Sequence, residues 1–155
     1  MRYTTLFIAA LSIFAIGGCN GEETEQEPFN ICDNFDTEYE DIQQGLTKDG
    51  ENGLIEVKYV SSTPAPPAEG DNSWTVQLMD DSGTPLSDGA VTEVKPWMPD
   101  HGHGTQVEPS MSDMDTDGMV DVDNIDFRMP GVWTLTFTVE TGGQVDTATF
   151  NVCIN

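Results

Sequence analysis

The stretch Trp133-Thr134-Leu135-Thr136-Phe137-Thr138-Val139 places a large apolar side chain at every odd position and a threonine at every even one. Strict alternation of this kind describes a strand with one face in a core and one in water, because successive side chains of an extended chain point to opposite sides. Working outward, the same period recurs at Ala148, Phe150, Val152 and Ile154, at Trp74, Val76 and Leu78, and at Ile55, Val57 and Tyr59. Less regular strands are expected at Val91–Met98, Thr105–Glu108, Met119–Val122 and Ile125–Met129, with Pro96 marking an edge strand because it lacks an N–H. Asp81-Ser82-Gly83, Ser87-Asp88-Gly89, Asp117-Gly118, Pro130-Gly131 and Gly142-Gly143 supply the turns between them.

About seven short strands with no amphipathic helix predict an all-β chain, folded as an immunoglobulin-like β-sandwich over residues 54–155. Ser61–Ser73, rich in proline, reads as an extended connection. Residues 29–53 scatter Phe29, Ile31, Phe35, Tyr39, Ile42 and Leu46 among acids without a clean period, with a turn of helix expected near Glu38–Gln44.

The chain has 155 residues and carries 28 Asp and Glu against 5 Lys and Arg, a formal charge of −23. That length suits one domain. A chain so negative has no basic surface to release counterions from a phosphate backbone, which excludes nucleic acid as a partner. Docking on anionic lipid by charge is excluded for the same reason.

At the N-terminus, Arg2 precedes an apolar run from Leu6 to Ile16, followed by Gly17-Gly18-Cys19. A positive start, a short apolar run and small residues before a cut site describe a secretory signal, and the run is too short for a permanent transmembrane helix. Ile16-Gly17-Gly18-Cys19 resembles the lipobox of bacterial lipoproteins. The resemblance implies a signal peptide over 1–18, cleavage before Cys19 and lipidation of that cysteine. Several acyl chains then anchor the protein to the membrane. Asn20 in place of Asp after the cysteine points, by the sorting rule of enteric bacteria, to the outer membrane rather than the inner. The alternative is a plain signal peptide that leaves Cys19 as a spare thiol. Residues 19–28 form an acidic tether with no large apolar group beyond the lipidated end.

Cys32 and Cys153 remain, in an oxidising compartment. Cys153 has the outward parity of the last strand, between Val152 and Ile154, so a disulfide is expected to brace the 29–53 segment across the outside of the sandwich. Two unpaired thiols, or a pair shared in metal binding, are the alternatives.

Chemistry concentrates in Pro96-Trp97-Met98-Pro99-Asp100-His101-Gly102-His103-Gly104-Thr105, which holds the only two histidines of the chain. Two residues apart in extended backbone, both imidazoles face one side, and the glycines allow the chain to bend so that they converge. Met98 lies three residues before His101, and Met111, Met114, Met119 and Met129 follow. Thioether with imidazole is a soft donor set that suits copper, above all Cu(I). The plain alternative is a glycine turn whose histidines cap strand ends and methionines that fill the sandwich rim. A second cluster, Asp113, Asp115 and Asp117 with Gly118 and Asp121, reproduces the opening of a calcium loop, but Asn124 stands where the closing glutamate belongs. An Asp-rich hairpin turn explains the same residues. No nucleophile motif and no histidine with an evident orienting partner appears, so the chain does not read as an enzyme.

Gly70-Asp71-Asn72-Ser73-Trp74, Gly83-Thr84-Pro85-Leu86, Met98-Pro99-Asp100-His101-Gly102-His103-Gly104-Thr105 and Met129-Pro130-Gly131-Val132-Trp133 together resemble the YtkA-like/FixH-like family of small exported β-sandwich domains. The resemblance spans about Leu54 to Val152. It implies an immunoglobulin-like sandwich and a link to copper and respiratory-oxidase assembly, with Met98, His101, His103 and Met129 as metal ligands. The rival class is a structural module of the cell envelope whose acidic face meets a protein partner.

Overall fold

In the computed structural model, which describes residues 29–155, the alternating stretch at 133–139 forms the middle of a long strand. The signal peptide, Cys19 and the rest of the tether through Pro28 lie outside the described residues. The described residues make nine strands: β1 (Thr47–Asp49), β2 (Glu56–Thr63), β3 (Gly70–Met79), β4 (Ala90–Met98), β5 (His103–Gly104), β6 (Ser110–Met111), β7 (Met119–Phe127), β8 (Gly131–Thr141) and β9 (Gln144–Ile154). They form two antiparallel sheets, ordered β1-β2-β3-β7-β6 and β5-β4-β8-β9. With β2, β3, β7 and β6 in one layer and β4, β8 and β9 in the other, the order is that of the ABED and CFG sheets of an immunoglobulin-like sandwich.

The period-two residues fill the space between the layers. Trp74, Val76 and Leu78 of β3 face Trp133, Leu135 and Phe137 of β8 and Phe150 of β9 in one buried cluster. Trp74 meets Phe150 edge-on across the layers, with ring centroids 5.7 Å apart. Asp146 is the exception, since it occupies an inward position of β9 and is only 1% exposed. Its carboxylate accepts the backbone N–H groups of Asn52 (2.8 Å), Leu54 (2.9 Å) and Thr147 (2.8 Å), and so clamps the 50–55 turn against β9.

Cys32 and Cys153 are bonded to each other, as the strand parity requires. Cys153 lies between buried Val152 and Ile154 on the outer face of β9. From Cys32 the N-terminal segment crosses the open side of the sandwich. Glu40 N–H donates to Asn151 O at 3.0 Å, the Glu40 carboxylate accepts Asn151 N–H at 3.1 Å, and Lys48 pairs with Glu40. β1 then adds to the edge of β2. One flank of the sandwich is thereby sealed from β9 to β2.

Four local expectations change. The expected helical turn at Glu38–Gln44 is extended chain bridging Val152, and the one short helix among the described residues is a 3-10 turn at Ile31–Asn34. Met119–Val122 and Ile125–Phe127 are one strand, β7, bent at Asn124, whose φ is +62°, and Arg128 and Met129 lie past its end. Two residues of β7 there oppose one of β3, and the resulting bulge breaks the alternation. Thr105–Glu108 is a connecting segment in which Thr105 Oγ1 donates to Val107 O. Ser61–Ser73 is mostly strand, because β2 runs to Thr63 and β3 begins at Gly70.

Candidate functional site

The two histidines sit at the end of the sandwich where β4 finishes, β8 begins and β9 ends. After Met98 the chain turns through Pro99–Gly102, with Gly102 at φ +69° and its N–H donated to Met98 O at 2.8 Å. β5 then returns beside β4, so that His103 is directly opposite Met98. Opposed residues of an antiparallel pair share a face. Met98 faces the core and is fully buried, and His103 therefore leans over the end of that core while remaining exposed.

Beneath His103 lies Trp133, fully buried, with ring centroids 5.9 Å apart in an edge-on arrangement. The indole N–H of Trp133 donates to Met129 O at 3.0 Å, which ties the 128–130 corner to the same end. His101 stands beside His103 at 5.9 Å between centroids and beside Phe35 at 6.0 Å. A Cβ built on Gly131 would collide with Met98 Cε and lie 3.1 Å from the Phe35 ring, so Met98 and Phe35 both close over that glycine.

Met98, His101 and His103 are thus gathered around one end of β4, with Met129 joined to them through its main chain and half-buried against the core. Met119 is not gathered with them. It opens β7, eight residues before the strand ends here at Phe127, which at the rise of an extended chain is about 25 Å away. Met111 and Met114 pack against the core beside β6.

The acidic cluster lies at the opposite pole. Asp115 Oδ1 accepts the N–H groups of Asp117 (2.9 Å) and Met119 (2.8 Å), the arrangement of an Asx turn leading into β7. Asp113 and Asp117 are exposed. Asp121 belongs to β7 and accepts the Thr75 hydroxyl at 2.7 Å across the sheet, apart from the other three. Among the described residues no three His, Cys, Asp or Glu side chains are placed to hold one ion. Methionine lies outside that set, so any metal at the histidine end depends on thioether donors.

Phe35 was missed as a site residue in the sequence. It lies in a segment without periodicity, and the bond from Cys32 to Cys153 carries it to the histidines.

Comparison with protein families matches the YtkA-like model over residues 51–138, more than half of the chain. The chain belongs to the YtkA-like family. No curated protein and no solved structure matches it. The YtkA-like match contains Met98, His101, His103 and Met129, whereas Cys32, Phe35 and Cys153 lie beyond its ends. The disulfide-braced segment is therefore built onto the part of this YtkA-like domain that the family model covers.

Proposed function

We propose that the protein is a non-catalytic binding module of the cell envelope, lipid-anchored at Cys19, that holds or hands over copper at the His101/His103 end. The observation that supports this most is the register of β4 with β5, which sets the imidazole of His103 opposite the buried thioether of Met98. Soft donors from Met98, His101 and His103, with Met129 at the same corner, suit Cu(I) better than a hard ion. The copper would be cargo rather than a resident group, since both imidazoles stay open to solvent.

The test is competition for Cu(I) between the full chain in detergent and a chromogenic chelator, beside the His101→Ala/His103→Ala variant. Withdrawal of Cu(I) from the chelator by the native protein and not by the variant is the expected result. No withdrawal at micromolar protein, or equal withdrawal by both, overturns the copper reading.

A second reading, a protein-interaction module without metal, draws on the unsealed flank. There a groove of about 700 Å³ runs between the β4 edge and residues 105–111, with Trp97 and Val107 exposed on its walls. The histidine variant would leave that function intact.

A further inference from the structure

Residue 35 stands three positions after a cysteine whose partner is on the last strand, and that spacing fixes where its ring can go. Ile31–Asn34 forms a single 3-10 turn, closed by Phe35 N–H donating to Cys32 O at 3.1 Å. Cys32 is bonded to Cys153, and Cys153 is paired with Val132 on β8, the residue next to Gly131. The turn is thus anchored a single residue from the glycine over which Phe35 and Met98 meet, and Ile31 N–H adds a second tie to Asn155 Oδ1 at 3.1 Å. Gly131 has no side chain to occupy that space, and the phenyl ring fills it. The same ring flanks His101.

We propose that the Cys32–Cys153 disulfide holds Phe35 as a wall of the histidine site, so that the N-terminal segment completes that site as well as sealing the flank of the sandwich. This deepens the copper reading and rests on it for its ligand. Phe35 is a positioning residue: it limits the rotamers of His101 and Met98 and shields that side of the site from water. An ion held at His101 then leaves more slowly than from a bare turn, because preorganised donors have less freedom to regain on release.

The experiment uses the full chain in detergent and two readouts, one free of metal. The first is the rate at which diethyl pyrocarbonate modifies each histidine, followed by peptide mass. Phe35→Ala raises the rate at His101 by about three- to tenfold, the factor such an aromatic contact is worth, and leaves His103 unchanged. Phe35→Leu, which keeps most of the bulk, stays near the native rate. The Cys32→Ser/Cys153→Ser variant repeats the Phe35→Ala result without adding thiols that would themselves bind copper. The second readout is the rate of Cu(I) loss to excess chelator, expected to rise by a similar factor in Phe35→Ala.

Equal modification of His101 in native protein and Phe35→Ala overturns the wall, whatever the metal does. Faster modification of both histidines alike also overturns it, because general loosening of the fold then accounts for the change. If the native protein takes up no Cu(I), the copper reading fails and the wall is decided by the modification rates alone. If copper binds and Phe35→Ala releases it at the native rate, the wall is rejected and the copper reading stands.

Discussion

At the scale of single residues, Asp146 shows how a charge is kept inside a sandwich. Burial pushes its carboxyl pKa up, but the backbone N–H groups of Asn52, Leu54, Thr147 and Ile55 together outweigh burial and hold it below the usual value. A depressed pKa contributes stability that is complete above the unfolded value, about pH 4, and is lost as the pH falls through the folded value. Acid unfolding should therefore lean on this group. Asp146→Asn keeps the shape but turns an N–H₂ toward N–H donors, and leaves at least one of them buried and unpaired. A loss of about 2 kcal/mol is expected, with a weaker dependence on pH below about 4 than the native protein shows. Urea midpoints at pH 7 and pH 3 measure both effects. An equal deficit at the two pH values would mean that the carboxylate's charge is not what secures the turn. Gly50 reports on the same clamp, since any Cβ there would collide with Asp146 Oδ2.

At the scale of elements, the disulfide joins two distant parts of the chain across a sequence separation of 121. Closing a loop of that length in the unfolded chain is worth about 4 to 5 kcal/mol in the entropy model, and measured values run lower. Cys32→Ser/Cys153→Ser should lose about 2–4 kcal/mol and show a steeper urea dependence, because its unfolded chain exposes more surface. An unchanged midpoint would show that Glu40 and β1 secure the segment without the bond. The brace was legible because parity is a local property: Cys153 sits between two apolar neighbours of a regular strand. The four long strands with clean alternation were legible for the same reason. β7 was read as two strands, because the bulge at Asn124 exchanges inward and outward positions halfway along and breaks the pattern between its halves. The ends of β2 and β3 were hidden by serine, threonine and glycine, which pair in a sheet without marking a buried face. Of the histidine site, the turn was readable from its residues. The partners Trp133 and Phe35 come from contacts made far along the chain, and nothing in the local sequence names them.

At the scale of the whole molecule, the charge is uneven, and that sets how the fold answers to salt. Nine acids and no base occupy 20–45, and six acids lie in 111–126. The first group includes the strap that crosses the flank, and the second includes the turn at the pole opposite the histidines. Lys48 with Glu40 and Arg128 with Asp126 are the ion pairs among the described residues, and two pairs offset little of the repulsion among 28 acids. Raising NaCl from about 20 mM to about 500 mM shortens the screening length from about 20 Å to about 4 Å, so the melting temperature should rise. A gain of about 3–6 °C corresponds to roughly 1 kcal/mol for a domain of this size. CaCl₂ at matched ionic strength separates screening from a specific site. With Asp115 engaged by the turn and Asp121 bonded to Thr75 across the sheet, calcium should add nothing beyond the sodium curve. A further rise at millimolar calcium, reversed by chelator, would restore an ion at the acidic turn by linkage. A melting temperature flat in both salts would mean that repulsion is confined to the tether and strap and never reaches the sandwich.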